Sequence, residues 1–228
     1  MQRMPVITKD GSYTLSIPEM NVTYHSIHGA IRESEHVFIR AGLGDSGIFN
    51  YTGVHHVLEI GFGTGLNALL TLIEADKRKN RIYYTAIEPY PLEETTITQL
   101  NYCEQLSLPY YQLLFEKMHQ CGWEEMHEIT EHFRLAKTKC SLLDFSSEIL
   151  FSIIYFDAFA PAAQPELWTK EVFEKLYSMM QEGGILVTYC SKGDVQRAMK
   201  AAGFSIEKIP GPPGKREMIK AKKTESEE

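Results

Sequence analysis

Three glycines at alternate positions directly follow a short apolar run that contains a carboxylate. The residues of this loop that could do chemistry are Glu59, Gly61, Gly63, Gly65 and Asn67. An apolar run, such a loop and a following helical segment predict a buried parallel strand, a tight turn and a helix N-terminus. Because glycine has no Cβ atom, its backbone N–H groups can approach a ligand closely. The loop therefore predicts a nucleoside-cofactor site, with a purely structural strand-to-helix turn as the alternative.

The spacing of this loop distinguishes between two classes of cofactor. The dinucleotide fingerprint G-x-G-x-x-G requires its third glycine at position 66, where this chain has Leu66. The carboxylate of Glu59 also suits a cationic ligand better than a pyrophosphate. S-adenosylmethionine carries a positive amine and a positive sulfonium, so the loop favours this cofactor over NAD.

Three further carboxylates follow apolar segments of the sequence. Glu88 comes directly after the predicted strand 81–87, about 20 residues beyond the glycine loop, where a carboxylate can accept both ribose hydroxyls of an adenosine. Asp144 follows an apolar pair and either accepts the adenine amine or caps a helix. Asp157 ends the clearest buried strand. Because the carboxyl ends of parallel strands meet at one sheet edge, these acids predict a mouth for a cationic ligand.

The alternation of strands and helices predicts an α/β fold: a doubly wound, Rossmann-like sheet of the class I S-adenosylmethionine methyltransferase type. A β-hairpin is expected within residues 4–16 and a helix over 30–41. A helical pattern covers 92–129, and an antiparallel strand pair over 204–221 completes the sheet. The expected organisation is an N-terminal extension (1–50), a methyltransferase domain (51–223) and a disordered tail (224–228).

Composition and charge exclude several classes of protein. The 228 residues are 43% hydrophobic, which is enough for one core, and the net charge of −7 argues against non-specific nucleic-acid binding. No apolar run approaches the ~18–20 residues of a membrane span, and the N-terminus lacks a signal core. The four cysteines are scattered without metal-ligand spacing. We therefore expect a cytoplasmic protein with reduced thiols, no metal site and no membrane partner.

Five segments, taken together, resemble a known enzyme family. They are residues 33–39, 59–67, 157–161, 165–169 and 215–218, which extend over nearly the whole chain. The combination resembles the tRNA wobble-uridine methyltransferases that form 5-methylaminomethyl-2-thiouridine. In many bacteria that enzyme is the N-terminal half of a bifunctional protein whose other half is a flavin-dependent oxidase. No flavin-binding half follows here, so the resemblance implies the stand-alone form, with a separate flavin oxidase possible upstream.

The resemblance implies an activity and roles for residues around the predicted mouth. The activity is methylation of the exocyclic amine of 5-aminomethyl(-2-thio)uridine in the anticodon loop of tRNA. Asp157, beside the sulfonium, is expected to hold the amine and accept its proton. Phe159 and Trp168 are expected to sandwich the uracil ring, with a core position as the alternative for Trp168. Tyr24 and Glu33 are expected to line the pocket from the N-terminal extension.

Contact with tRNA phosphates requires positive charge, which the acidic chain offers only locally. The stretch 208–223 carries six basic residues against one acid, Glu217. Within it, Lys215 and Arg216 are the expected phosphate contacts, and Lys192 could add to the same patch. A solvated charged face is the alternative interpretation.

Two other functions are compatible with an acidic mouth. One is a small-molecule amine methyltransferase or a polyamine synthase-like aminopropyl transferase, which the acidic composition suits better than it suits a tRNA enzyme. The other is a binding module that holds the cofactor without turnover. Segments 157–161 and 215–218 favour the tRNA enzyme over both.

Overall fold

The computed structural model describes residues 2–50 and 53–224. Its strands are β1 Met4–Ile7, β2 Tyr13–Ile17, β3 Val22–Thr23, β4 Val54–Ile60, β5 Arg81–Ile87, β6 Met126–Glu128, β7 Phe133–Thr138, β8 Phe151–Phe156, β9 Met180–Thr188, β10 Ser205–Pro210 and β11 Glu217–Lys222. Its helices are α1 Ala30–Ser34, α2 Leu66–Arg78, α3 Glu94–Ile97, α4 Tyr102–Gln105, α5 Gln112–Gln120, α6 Lys170–Ser178 and α7 Gly193–Ala201. A π-helix, Glu35–Gly44, continues α1 directly.

Eight strands form one sheet in the order β10-β11-β9-β8-β4-β5-β7-β6. The five strands from β9 to β7 in this order are parallel, whereas β11 is antiparallel to both of its neighbours and β6 is antiparallel to β7. The chain proceeds from β4 outward to β5 on one side and later returns to β8 on the other. Ligands of open α/β sheets bind at such a reversal, above the carboxyl ends of the strands.

Both faces of the sheet are covered, as the doubly wound prediction requires. Alternate residues of β4 face opposite sides: Val57 belongs to the core under α1, α2 and α5, and Leu58 to the core under α6 and α7. A strand buried on both faces reads as a continuous apolar run, which is the pattern that identified β4 and β8 in the sequence.

The N-terminal hairpin is confirmed and gains a third strand, β3, which pairs with β2. The helical prediction over 92–129 is partly wrong. The chain there forms three short helices broken at Ser107, which has a left-handed φ of 57°, and it ends in β6. Met126–Glu128 becomes a strand because it pairs with β7, a partner that local periodicity does not reveal.

Smaller differences concern the ends of elements. The first helix continues as a π-helix to Gly44, three residues beyond the predicted end at position 41. Gly183 and Gly184 lie inside β9 and do not interrupt it. The boundary predicted at residue 51 and the tail predicted from 224 fall, apart from Thr224 itself, outside the described residues. Among the residues described, no helix is long and apolar enough to cross a bilayer.

Candidate active site

The glycine loop joins β4 to α2 in a conformation that side chains would obstruct. Gly61 has a φ of 92° and donates its N–H to the Ile87 carbonyl at 3.0 Å. A Cβ atom on Gly61 would lie 3.1 Å from the Asp157 carbonyl oxygen, and one on Gly63 would lie 3.1 Å from the Tyr24 ring. The loop therefore packs between the ends of β5 and β8, with the N-terminal extension above it.

A cavity of about 320 Å³ opens over the carboxyl ends of β4, β5 and β8. Its size is at the lower end of the range for pockets that hold drug-sized ligands. Its walls come from the glycine loop, the segments after β5, β7 and β8, and the N-terminal three-stranded sheet. Residues that line it and can interact with a ligand are Arg3, Tyr24, Gly61, Gly63, Asn67, Glu88, Ser141, Asp157, Phe159 and Gln164.

Glu88 occupies one end of this cavity and is held by the backbone. One carboxylate oxygen accepts the Gly63 N–H at 3.0 Å, and the other accepts the Tyr90 N–H at 2.8 Å. Each carboxylate oxygen has a second lone pair, so Glu88 can still accept two hydroxyl groups. This is the arrangement that ribose hydroxyls need.

At the other end of the cavity, two carboxylates share one amide: Asp157 lines the cavity, whereas Glu59 is buried outside its lining. Asn67 Nδ2 donates to Glu59 Oε1 and to Asp157 Oδ2, both at 2.9 Å. Glu59 is fully buried, and its Oε2 has no partner at hydrogen-bond geometry among the residues described. Asp157 is partly buried and faces the cavity. The two acids therefore lie close together with little to neutralise them.

This crowding changes the protonation of both acids. Burial, reinforced by the Asp157 charge, raises the pKa of Glu59 well above its ordinary value. Burial also raises the pKa of Asp157 to about 7; the Glu33 charge adds to the rise, while Asn67 and Lys215 oppose it. A carboxylate that titrates near neutrality can take a proton from a bound ammonium group, since an ordinary one is too weak a base.

Of the two residues expected to line the pocket from the N-terminal extension, Tyr24 does so and Glu33 does not. The Tyr24 ring lies edge-on to Phe159 with centroids 5.2 Å apart, and its hydroxyl accepts a hydrogen bond from Arg3 Nε at 2.9 Å. Glu33 is buried outside the cavity lining and accepts a hydrogen bond from Lys215 Nζ at 2.9 Å. Tyr24 thus lines the cavity, whereas Glu33 affects it through the influence of its charge on Asp157.

The Trp168 ring lies outside the cavity lining and is not placed to stack on a base there. Its side chain is in the core under α6, with the ring centroid 4.8 Å from that of Phe156, and only 6% of the residue is exposed. Its indole N–H donates to the Phe159 carbonyl at 2.9 Å. The core alternative is therefore correct, and Trp168 holds the backbone of the residue that does border the cavity.

Asp144 does not reach the cavity either. Its side chain is exposed, and the same loop presents Ser141 and Leu142 to the cavity instead. The loop turns here because the Asp144 N–H bonds to the Ser141 carbonyl at 3.1 Å. Asp144 is therefore not placed to contact an adenine amine in the cavity.

The basic C-terminal stretch is largely neutralised, contrary to the expectation of free positive charge. Four of its lysines lie within 4 Å of a carboxylate: Lys208 of Glu217, Lys215 of Glu33, Lys220 of Asp45 and Lys223 of Glu182. Three of these four acids lie outside the stretch, so its sequence did not reveal them. Within the part of the chain that is described, Lys192 and Arg216 are exposed and form no ion pair.

Two groups of functional interest were missed from the sequence. Arg3 lines the cavity and donates from Nη2 to the Tyr90 carbonyl at 2.7 Å, so it ties the N-terminus to the segment after β5. Lys137 is fully buried and donates to the His119 carbonyl at 2.7 Å. His119 Nε2 in turn donates to the Thr64 carbonyl of the glycine loop at 3.1 Å. Lys137 occupies an inward position of alternating β7, which is the one signal that could have identified it.

The site has the features that S-adenosylmethionine requires. The glycine loop leaves room only for backbone, Glu88 retains acceptor capacity for ribose, and the acids around Asn67 provide negative charge for a sulfonium and an amine. No group of three or more His, Cys, Asp or Glu residues within 2–50 and 53–224 is arranged to hold a metal ion.

Comparisons with known proteins agree with this site. Residues 99–224 match the profile of a family described as S-adenosyl-L-methionine-dependent methyltransferases. The chain is 29% identical to the tRNA 5-methylaminomethyl-2-thiouridine biosynthesis bifunctional protein MnmC of Cupriavidus metallidurans, over 96% of this chain and 33% of that protein. It is 32% identical to the MnmC protein of Aromatoleum aromaticum, over 87% of this chain and 32% of that protein.

The chain thus spans about a third of the length of these curated relatives. Among solved structures, it is similar to MNMC2 from Aquifex aeolicus, with a TM-score of 0.79 and 25% identity over 96% of this chain and 69% of that one. This similarity confirms the class I methyltransferase fold that the sequence predicted.

Proposed function

The chain belongs to the family of S-adenosyl-L-methionine-dependent methyltransferases, and we propose that it methylates the exocyclic amine of 5-aminomethyl(-2-thio)uridine at the wobble position of tRNA. The observation that carries the proposal is the placement of Asp157. This acid faces the cavity beside the glycine loop, and its pKa of about 7 suits it to receive the proton of an amine. The curated relatives described above are proteins of tRNA 5-methylaminomethyl-2-thiouridine biosynthesis, which supports this nucleoside as the carrier of that amine.

The cofactor is S-adenosyl-L-methionine, which supplies an electrophilic methyl group on a sulfonium. We assign its ribose hydroxyls to Glu88 and its backbone contacts to Gly61 and Gly63. The carboxylates of Glu59 and Asp157 stabilise its positive charges, with Asn67 fixing their orientation. Each assignment follows from the position of these groups around one cavity.

Asp157 has two roles in the proposed reaction. An alkyl ammonium has an ordinary pKa near 10, so the amine binds mostly as the cation and must lose a proton before its lone pair can attack. The Asp157 carboxylate attracts the ammonium and takes one proton to its oxygen. The cofactor would supply an electrophilic methyl group to this lone pair, and the residues around the cavity would hold the amine and the methyl group about 3 Å apart, which supplies much of the rate.

Aromatic residues complete the proposed substrate side. Phe159 stands beside Asp157 at the cavity, with the edge of Tyr24 against it. A base stacked on Phe159 would gain about 1–3 kcal/mol. The wobble base lies in a loop of tRNA, so presenting it costs less than flipping a base out of a duplex.

Two partners follow from this proposal. The tRNA anticodon loop is the substrate, and the exposed side chains of Lys192 and Arg216 are the proposed phosphate contacts. The aminomethyl group must be produced by an earlier reaction, for which a separate flavin oxidase is the proposed source. The exposed stretch around these two cations replaces the larger basic patch expected from the sequence.

The test is to incubate the purified protein with radiolabelled cofactor and bulk tRNA from cells that lack its gene, with diamines in a parallel reaction. We expect label in tRNA, located in the wobble uridine by mass spectrometry of nucleosides, and none in the diamines. Asp157→Asn should lower kcat/KM for tRNA by about 10²–10⁴, the usual contribution of a positioned acid or base.

The matched control is Glu174→Gln, which changes an exposed carboxylate on α6 and should leave kcat/KM unchanged. Label in diamines but not in tRNA would identify a small-molecule amine methyltransferase instead. Tight cofactor binding with transfer to neither substrate would favour a binding module.

A further inference from the structure

A partly buried ion pair connects segments near the two ends of the chain. Lys215 Nζ lies 2.9 Å from Glu33 Oε1, although the residues are 182 positions apart. Glu33 is 6% exposed, and its other oxygen accepts the Ser26 N–H at 2.6 Å. The Lys215 ammonium also lies 3.6 Å above the Tyr189 ring. Both partners are therefore fixed by contacts other than the pair itself.

The segments that carry this pair contact each other outside the cavity lining. His36 of the π-helix contacts the Pro210 carbonyl at 2.8 Å, and Lys215 follows in the loop between β10 and β11. On the opposite side, the Tyr189 hydroxyl donates to the Ala158 carbonyl, next to Asp157, at 2.8 Å. Lys215 thus contacts Tyr189, whose hydroxyl is hydrogen-bonded to the residue that follows Asp157.

Titratable groups surround Asp157 on five segments of the chain. Glu59 faces it from β4 through the shared Asn67 amide of α2. Glu33 acts on it from α1 and Lys215 from the β10–β11 loop. Tyr84 of β5 and Tyr189, directly after β9, are uncharged at neutral pH, because burial raises the pKa of each phenol. Among these groups, Lys215 is the cation, and Glu33 is its immediate counter-ion.

We propose that the Glu33–Lys215 ion pair sets the charge of Asp157 during methyl transfer, with Lys215 favouring the carboxylate and Glu33 opposing it. Both are positioning residues, since neither lines the cavity. The inference rests on the proposed function for its kinetic readout. It also reassigns Lys215 from a phosphate contact to an internal group, because its ammonium is already occupied by Glu33 and Tyr189.

The decisive measurement is whether substitutions of the two residues shift the pH–rate profile in opposite directions. Activity requires ionised Asp157, so kcat/KM falls as pH decreases through the pKa of this group. Glu33→Gln removes the opposing charge and should move this acid limb to lower pH by about one unit. Lys215→Met removes the supporting charge, keeps the aliphatic stem on Tyr189, and should move the limb to higher pH by a similar amount. The double variant should return close to the wild-type profile.

A second readout needs no substrate. The difference in unfolding free energy between a protein and its Asp157→Asn derivative changes with pH, and its upper inflection marks the folded-state pKa of Asp157. For the wild type we expect this inflection near pH 7. The inflection should move to lower pH in the Glu33→Gln background and to higher pH in the Lys215→Met background.

The exposed ion pair Lys170–Glu174 on α6 provides matched controls, Lys170→Met and Glu174→Gln, which should move neither readout. If the wild type does not methylate tRNA, the proposed function fails while the unfolding measurement still tests the pair. If tRNA is methylated but both Glu33→Gln and Lys215→Met leave the acid limb and the inflection in place, or move them in the same direction, the pair has only a structural role.

Discussion

The two ends of the cavity hold their carboxylates in opposite ways. At the β5 end, both oxygens of Glu88 accept backbone N–H groups, from Gly63 and Tyr90. At the β4 and β8 end, Glu59 and Asp157 share a single amide hydrogen-bond donor, Asn67 Nδ2. The first carboxylate is stabilised by the fold, whereas the second pair is destabilised by burial, to which the Asp157 charge adds at Glu59 and the Glu33 charge adds at Asp157.

The difference suits the first end to binding the cofactor and the second end to interaction with positively charged groups. A carboxylate fixed by backbone donors is a rigid anchor for neutral hydroxyl groups. Two crowded acids are instead stabilised when a positively charged ligand binds next to them, because its charge compensates for their burial. Burial of these acids lowers the stability of the free protein, and binding of a cation offsets that loss.

The largest expected effect in this comparison is on cofactor affinity at the anchored end. Glu88→Gln should raise the Kd for S-adenosylmethionine about 10–100-fold, because hydrogen bonds to a charged acceptor contribute about 1.5–3 kcal/mol. At saturating cofactor, kcat should change little. Calorimetric titration and steady-state kinetics measure the two quantities. An unchanged Kd together with a large loss of kcat would reverse the roles assigned to the two ends.

The second prediction concerns stability at the crowded end. The pKa of Asp157 is raised in the folded state, so the folded protein binds the extra proton and loses stability as pH rises from about 4 to about 7. Asp157→Asn removes this penalty, which is fully present above pH 7, and can still accept the Asn67 hydrogen bond. We expect about 2 kcal/mol of added stability at pH 8, or about 4–8 °C in Tm, and much less at pH 5.

Glu88→Gln is the control for that measurement, since it removes a carboxylate that the backbone stabilises. Its Tm should fall or stay constant at pH 8. Thermal unfolding of the two variants across this pH range compares both ends of the cavity in one experiment. Equal effects of the two substitutions would mean that the ends do not differ in the way described.

A smaller effect is expected in the loop between the two ends. The buried Lys137 ammonium lies 5.6 Å from the Phe62 ring and bonds to the His119 carbonyl, and the His119 ring bonds to Thr64. Burial and the Lys137 charge lower the pKa of His119 to about 4, so the ring is neutral and donates from Nε2. Lys137→Met should loosen the glycine loop and raise the Kd for the cofactor about 5–10-fold.

Unfolding temperature should not fall in Lys137→Met, because methionine replaces a buried cation with an apolar side chain of similar length. Lys117→Met is the matched control: Lys117 also donates to a backbone carbonyl, that of Glu128, but is exposed on α5. A Kd that changes equally in both variants would remove the special role given to Lys137.

The smallest effect is expected at the adenine side. Asp144→Asn should change the cofactor Kd less than about 2-fold, because this exposed side chain lies outside the cavity. Isothermal titration is sensitive enough to decide this. A loss as large as that of Glu88→Gln would restore the contact with the adenine amine that the sequence suggested.

The sequence predicted the cofactor end well because its signals are local. Glu59, the glycines and Glu88 lie at the ends of two strands with continuous apolar runs, and parallel strands necessarily bring such ends to one edge. Asp157 follows from the same rule. The substrate side was harder, because whether Trp168 stacks on a base or fills the core depends on what packs over α6.

Charge was the least predictable property. Lys215 pairs with Glu33 and Lys223 with Glu182, and Lys220 pairs with Asp45 as well as with Glu207. All four acids lie outside the stretch 208–223, so the local charge count gave a false surplus of positive charge. Local counting assumes that a lysine remains solvated unless a neighbour in sequence pairs with it.

By itself, the amino-acid sequence determined the order of strands and helices, the glycine loop and the sheet edge at which the acids meet, because these depend on short-range periodicity and on the geometry of parallel strands. Tertiary structure alone decided which of those acids are crowded and which are satisfied. It also brought Glu33 and Lys215 together. Electrostatic environment depends on distances in space between residues remote in the chain, and no local pattern encodes them.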